Sequence, residues 1–291
     1  ILGWATLVVY AVVIGAEHMM VTRNFVTYMT TNSILIGAEF DKIVTILSVT
    51  LILALAVRRG RGLLIEAVSE QMAARELSRF FDPGVAGHIR DAESEISAGE
   101  GVTRNAAVLN IDIRGFTRLA AKMDPSHVVR VLSVYHDRIV PIIRRNGGTI
   151  DKFMGDGIMA SFGTSADETP FAANALRTID EIVEEIARWK LERGDEGGFD
   201  PASINMAVAS GEIVFGAVGS NERLEFTVIG PAVNLSAKLE KFNKELGSTA
   251  LATAELLQVA RRQGYGSKRA IEQRDVAIPG TSGSIAIARL Y

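Results

Sequence analysis

Hydrophobic and polar positions divide the chain into two unlike parts. Ile1 to Ala16 carries no charged residue, and neither does Ile43 to Val57. At ~1.5 Å per residue, 16 residues reach roughly 24 Å, short of a ~30 Å hydrocarbon core, so the first run reads as a spanning helix cut at its start. The second becomes long enough when extended back to Phe40, with Lys42 snorkelling to the interface and Glu39 and Asp41 at the outer boundary. A pair of buried core helices is the alternative. Arg58, Arg59 and Arg61 favour the membrane, because a basic cluster directly after an apolar run marks the cytoplasmic side. The opening residues lack the basic region and cleavage site of a signal peptide. Since the chain opens on Ile1, it is expected to be a processed protein or a piece of a longer one. The pattern thus predicts a multi-pass anchor in the cell membrane over residues 1–57, in contact with lipid, and a cytosolic remainder.

From Leu63 to about Arg79 the period turns helical, with Leu64, Val68, Met72 and Leu77 near one stripe, until Phe81-Asp82-Pro83-Gly84 breaks it. This segment reads equally as a connector below the membrane or as an amphipathic helix of the following domain. Residues 91–101 are polar and linker-like, so 58–101 is taken as a connecting region. Beyond residue 102 strands and helices alternate. Ala106 to Ile113 is an apolar run. Asp124-Pro125 caps and opens a helix whose buried face is Val128, Val131, Leu132, Tyr135, Ile139, Ile142 and Ile143. Asn146-Gly147-Gly148 ends it. Thr149–Phe153 and Ile158–Phe162 read as a hairpin, and Pro170 to about Trp189 as a second long helix. Ser203–Ala209 and Ile213–Val218 are predicted as two strands turning at Ser210-Gly211-Glu212. Glu225–Ile229 is a further strand, and Ala232 to Leu246 a helix. The order β-α-β-β-α-β predicts a ferredoxin-like α/β (α+β) domain over 102–291, with both long helices on one face of an antiparallel sheet.

Composition narrows the function. A net charge of −3 argues against a nucleic-acid partner. The absence of cysteine excludes disulfides, thiolate metal sites and a cysteine nucleophile. The four histidines show no metal-ligand spacing, and His127 and His136 read as surface or capping residues. There is no Walker A loop. What remains are carboxylates. Asp112 ends a strand and Asp156 sits at a hairpin tip. In a ferredoxin-like sheet these strands are neighbours, so the two carboxylates can face each other. They would repel without a cation between them, and hard oxygen ligands suit Mg²⁺. Gly115 would let backbone N–H groups approach a phosphate.

These residues fall in stretches that resemble the class III adenylyl/guanylyl cyclases. Asn110-Ile111-Asp112-Ile113-Arg114-Gly115-Phe116-Thr117 is similar to the family's first metal motif, and Lys152-Phe153-Met154-Gly155-Asp156-Gly157 to its second. Phe226-Thr227-Val228-Ile229-Gly230 with Val233-Asn234-Leu235 is similar to its third. The resemblance covers about residues 102–291. It implies a homodimer with active sites at the interface and two ions, Mg²⁺ or Mn²⁺, per site. Asp112, Asp156 and the carbonyl of Ile113 would bind metal, Gly115, Phe116 and Thr117 substrate phosphate, Lys152 and Thr227 the base, and Asn234 would be catalytic. Lysine and threonine at the base-reading positions imply ATP as substrate, hence an adenylate cyclase forming 3′,5′-cyclic AMP and pyrophosphate. Chemistry supports this, since lysine can only donate and meets adenine N1, while threonine can accept from the 6-amino group. A non-catalytic nucleotide-binding module and a guanylate cyclase are the alternatives.

Three positions depart from the family pattern. Lys238 stands where an arginine usually holds the α-phosphate, on the same helix face as Asn234, and lysine lacks the guanidinium fork. Pro231 follows Gly230 where Asp or Asn is common. Ile278-Pro279-Gly280-Thr281-Ser282-Gly283 replaces a segment that usually carries a basic residue for the triphosphate, with Lys268, Arg269 and Arg274 nearby.

Overall fold

The computed structural model describes residues 21–30, 34–77, 98–164, 169–193, 204–220, 222–267, 269–281 and 283–291. The apolar run before Ala16, most of the 91–101 linker, Lys268 and Ser282 lie outside the described residues. Contacts divide the chain into two units, Ile1–Leu77 and Ser78–Tyr291.

In the first unit, two-residue strands β1 (Val21–Thr22) and β2 (Ile34–Leu35) pair in parallel around a short helix, α1 (Phe25–Thr30). They lead into α2 (Ile36–Leu77), 42 residues long. The expected connector helix and the expected second span are therefore one helix. The helix runs unbroken from Arg58 to Leu63, through Gly60 and Gly62. Asp41–Ser69 is long and apolar enough to cross a membrane, with a mean hydropathy of 1.8 in its most apolar window and none of that window buried. Leu51, Ile52, Leu53 and Leu55 point in different directions around the helix and all are exposed. Apolar side chains on every face of a helix call for an apolar surrounding. One such helix is present among the described residues, and it corresponds to the second predicted span; the first lies outside them.

The second unit is a mixed α+β domain. Its elements run β3 (Gly101–Ile113), α3 (Phe116–Ala120), α4 (Pro125–Arg145), β4 (Gly148–Met154), β5 (Gly157–Phe162), α5 (Phe171–Arg193), β6 (Ile204–Ser220), β7 (Arg223–Ile229), α6 (Pro231–Leu246), β8 (Ala250–Thr253), α7 (Ala254–Arg262), β9 (Glu272–Ala277) and β10 (Ser284–Arg289). The sheet order is β4-β5-β3-β6-β8-β10-β9, with β7 paired to β6. The first four strands have the ferredoxin-like order, and every pairing is antiparallel except β6 with β8. Asp124 caps α4 by accepting from Ser126 N at 2.9 Å, with Pro125 at the first position, as the sequence predicts.

The two expected strands around Gly211 are one. β6 runs unbroken from Ile204 to Ser220 because β3 is long enough to template it, in register from Ile113↔Ile204 to Gly101↔Gly216. A Ser-Gly-Glu triplet signals a turn only when nothing pairs alongside it.

Strand alternation assigns the faces. Ala107, Leu109, Ile111 and Ile113 join the main core with Tyr135, Ile139 and Ile143 of α4 and Leu176, Ile179 and Ile182 of α5. Both long helices thus cover one face. Ala106 and Val108 point to the other, against Met159, Ile213, Val228 and Ala232. α6 lies on that second face, with Leu239 and Phe242 packed against Ala207, Ala209 and Leu251. Asn110 and Asp112 share the parity of Ala106 and Val108, so β3 carries its polar end to the face covered by α6.

Candidate active site

β3 and β5 pair from Ala107↔Phe162 to Ile111↔Ile158, which sets the end of β3 beside the β4–β5 loop. That loop holds two residues, Gly155 and Asp156, between the paired Met154 and Gly157. Gly155 has φ 70°, a left-handed value that costs a side-chain-bearing residue energy. The tight turn leaves Asp156 at the tip, where its Oδ2 accepts from Ile113 N at 3.3 Å.

Asp112 and Asp156 share a hydrogen bond between their carboxyl groups. Asp112 is pushed up to about 7, first by burial, then by that hydrogen bond and the charge of Asp156, with Glu240 of α6 adding; the Ile113 N–H alone opposes. Two carboxyl groups in contact must hold a proton or a cation between them. Among the described residues no third His, Cys, Asp or Glu side chain completes a closed cage. Such a donor set fits Mg²⁺ or Mn²⁺, which bind through one or two carboxylates and complete their shell with water and substrate phosphate.

Around this pair lies a network that the sequence reading missed. Arg114 donates through Nε to Asn205 Oδ1 at 3.1 Å and through Nη2 to the Ser248 carbonyl at 2.9 Å. Asn205, opposite Asp112 in the β3–β6 register, lies beside Glu240 and favours its ionised form, while burial holds that carboxyl above its usual range. Ser236, Glu240 and Asn243 form a polar stripe on the buried side of α6. Spacing of i, i+4 and i+7 in an otherwise amphipathic helix is the signal that could have found it.

Gly115, with φ 75°, opens α3. Phe116 is buried in the main core, so its ring packs and only its backbone faces the loop, whereas Thr117 is exposed.

Lys152 and Thr227 are brought together. The β6–β7 hairpin seats Val228 on the second sheet face and lays β7 near β4. Thr227 Oγ1 donates to Asp151 Oδ1 at 2.9 Å, and Val228 N to Asp151 Oδ2 at 2.8 Å. Lys152 pairs with Glu225 and has its ammonium 3.7 Å from Asp151 Oδ1. The β4–β5 register shifts between Ile150 and Lys152, placing Asp151 at the irregularity.

Asn234 and Lys238 lie one turn apart on α6, opposite to the stripe that faces Asp112. They therefore do not converge with the Asp112–Asp156 pair of the same chain. Lys238 Nζ donates to the Gly280 carbonyl, in the turn between β9 and β10. His136 is half-buried with its ring centroid 4.4 Å from that of Phe153, so it is packed under the β4 rim rather than being a surface or capping group.

The architecture is that of a nucleotide cyclase, a mixed α+β sheet with a carboxylate pair at the end of its central strand. Residues 100–272 match the adenylate and guanylate cyclase catalytic domain, and the chain belongs to that family, the class III cyclases. It is 30% identical over 192 residues to an adenylate cyclase of Anabaena cylindrica, covering 66% of this chain and 38% of that one. The chain thus spans less than two-fifths of that relative's length. Among solved structures it resembles the guanylyl cyclase Cya2, with 28% identity and a TM-score of 0.56 over 65% of this chain and 92% of the other. It resembles the adenylyl cyclase CyaB from P. aeruginosa equally well, with 26% identity and a TM-score of 0.56 over 65% and 95%. Membership makes the domain a cyclase domain, and relatives of both nucleotide specificities leave the choice of base to this chain's own residues.

Proposed function

We propose that the chain is an adenylate cyclase that converts ATP to 3′,5′-cyclic AMP and pyrophosphate in intracellular signalling, acting as a homodimer and anchored to the membrane by α2. The observation that carries the choice of ATP is the juxtaposition of Lys152 and Thr227, 75 residues apart in sequence, at one rim of the domain. The ammonium donates to adenine N1 and the hydroxyl accepts from the 6-amino group, whereas guanine presents a donor at N1 and an acceptor at O6.

In the reaction the ribose 3′-oxygen bonds to the α-phosphorus, the bond from that phosphorus to the bridging α–β oxygen breaks, and the 3′-hydroxyl proton leaves to solvent. Asp112, Asp156 and the Ile113 carbonyl would hold two divalent ions, Mg²⁺ or Mn²⁺. When bound, these ions lower the pKa of the 3′-hydroxyl and offset triphosphate charge. Backbone N–H groups around Gly115, Phe116 and Thr117 face the phosphates. Asn234 orients the ribose, and the Lys238 ammonium lies against the α-phosphate as charge develops. Because Asn234 and Lys238 face away from the carboxylate pair of their own chain, a complete site needs a second copy. Arg58, Arg59 and Arg61 following the apolar stretch of α2 support a cytoplasmic catalytic domain.

The test uses the purified chain with ATP or GTP and Mg²⁺ or Mn²⁺, reading cyclic nucleotide formed. Asp112→Ala and Lys152→Ala are expected to be inactive alone and to recover activity when mixed, since one interfacial site of the heterodimer is then intact. Cyclic GMP as the main product would overturn the choice of base, and heterodimers without activity would overturn the shared site. Attachment of Lys238 to Gly280 favours a second reading, a nucleotide-binding module without efficient turnover. Bound nucleotide with no cyclic product would establish that reading.

A further inference from the structure

Asp151 stands out on chemical grounds. Its side chain is 2% exposed, it sits at an irregularity in β4, and it precedes the exposed end of a binding pair without reaching the substrate face itself. Both its oxygens are engaged, Oδ1 by the Thr227 hydroxyl and Oδ2 by the Val228 N–H. A carboxylate only accepts, so in this contact the hydroxyl proton of Thr227 is spent on Asp151.

A free threonine hydroxyl can rotate, donating to one partner and accepting from another. At a nucleotide site, such a rotor would read adenine's 6-amino group and guanine's O6 alike. Thr227 is 9% exposed, so water has little access to compete for its proton. With the proton held by Asp151, only lone pairs remain to meet a base. The lone pairs suit a 6-amino donor and oppose a 6-oxo acceptor. The Lys152 ammonium, 3.7 Å from the same Oδ1, favours the ionised carboxylate and is itself drawn to that edge of the pair.

We infer that Asp151 is a positioning residue for base selection, fixing the Thr227 hydroxyl as an acceptor so that the site takes a 6-aminopurine nucleotide and rejects a 6-oxopurine one. This rests on Lys152 and Thr227 being the base-reading pair. Asp151 does not touch the substrate and acts through Thr227. In Asp151→Asn the amide can donate to Thr227 Oγ1, which frees the hydroxyl proton to turn outward towards an oxo group.

The experiment compares kcat/KM for ATP and GTP in the full chain and in three variants: Asp151→Asn, Thr227→Val and the double substitution. Asp151→Asn is expected to lower the ATP:GTP ratio roughly 10–100-fold, the scale set by leaving one buried polar group unmatched. The double variant should differ from Thr227→Val by less than about twofold, because both changes act through one hydroxyl. A merely structural Asp151 would lower both nucleotides together and leave the ratio in place, which overturns the inference. If Thr227→Val shifts the ratio and Asp151→Asn does not, Asp151 has no such role and the base-reading pair survives. If neither shifts it, the pair itself is wrong. Should Asp151→Asn fail to fold by circular dichroism, the unaltered chain decides. Purine riboside triphosphate is expected to inhibit better than its 6-methoxy derivative, which offers an acceptor at the same place, and the reverse order overturns the inference.

Discussion

Asp151 in β4 and Asp156 in the β4–β5 loop stand five residues apart, and their surroundings are opposite in kind. Around Asp151 the carboxyl pKa is raised, first by burial and further by the charge of Glu225, although Val228 N–H, the Thr227 hydroxyl and the Lys152 ammonium all pull it down. Those three donors are supplied by the protein itself. For Asp156 the nearest large group is another carboxyl, Asp112, whose own environment adds the charges of Asp156 and Glu240 to the cost of burial. At the rim proposed to read the base, hydrogen bonds and an ammonium surround the carboxylate, while at the end proposed to bind metal the neighbouring charges are like charges. Selecting a base would call for fixed donors and acceptors before the nucleotide arrives. Binding a cation needs concentrated negative charge that the protein does not cancel. The comparison predicts that substitutions at the two places will move stability and activity in different combinations.

The largest effect belongs to the carboxylate end. Asp156→Asn removes one of two repelling charges and keeps the shape of the tip. Cyclase activity is expected to fall below detection, while the metal-free protein becomes more resistant to heat. Asp151→Asn should move the melting temperature less, because burial and the charge of Glu225 already oppose the Asp151 charge that Val228 N–H, Thr227 and Lys152 favour. Thermal melts of both variants in EDTA check this. If Asp156→Asn keeps near-parental activity, or melts lower than the parent, the contrast between the ends is wrong.

Lys238 comes next, since it decides whether α6 adds a third kind of environment, a cation held in reserve. Its ammonium rests on the Gly280 carbonyl, a neutral acceptor that a phosphate oxygen would outcompete electrostatically. Lys238→Ala is expected to reduce kcat by about 10²–10³ with little change in KM, as for one preorganised donor acting on transition-state charge. Lys238→Arg separates two cases. A rise in kcat means lysine is a weakened substitute, and a fall means the site is matched to its reach. A kcat for Lys238→Ala within about twofold of the parent would remove Lys238 from the chemistry. Arg114 is an unsuitable replacement, because Asn205 and the Ser248 carbonyl already bind its guanidinium.

Much of this was legible in the sequence, for stated reasons. Alternation and helical period fixed β3, α4, β4, β5 and α5, because each buries one face against a single core. The Asp112–Asp156 juxtaposition followed from strand order. Gly211 misled, because a turn signal is local and the pairing that overrides it comes from β3, a hundred residues away. The arginines after Val57 likewise suggested a boundary where α2 continues. Asp151 was passed over because it reads as one polar residue in a half-exposed edge strand. Its partners lie on β7, 76 and 77 residues on, and no periodicity links them. Beyond Leu246 the reading named no elements. β8, α7, β9 and β10 are short, and what seats them is β6, against which β8 runs parallel.

The smallest effect is the one that isolates the carboxylate end most cleanly. Asp112 has a folded pKa near 7 against 3.8 for the unperturbed group. A group whose pKa rises on folding contributes stability that is complete below its unfolded value and is lost as pH climbs through the folded one. The metal-free protein should therefore lose stability between pH 6 and 8 as the shared proton leaves. For a single group this amounts to at most about 1.4 kcal/mol over those two units, reduced by solvent screening. In a domain of this size that is a fall of about 2–4 °C in melting temperature. Divalent ion acts in the opposite sense. It competes with the proton, binds best to the ionised pair, and should raise the melting temperature more at pH 8 than at pH 6. Asp156→Asn should weaken both dependences without abolishing them, since it removes the like charge of Asp156 but leaves burial, the largest cause of the raised Asp112 pKa, in place. Asp151→Asn should leave the metal response intact, because Asp151 is not among the groups that shift Asp112. Melts of the parent and both variants at the two pH values, with EDTA and with Mg²⁺, test this directly. An equal metal response at pH 6 and pH 8 in the parent would mean that Asp112 and Asp156 are not held against each other in solution, and the distinction between the rim and the carboxylate end would fail with it.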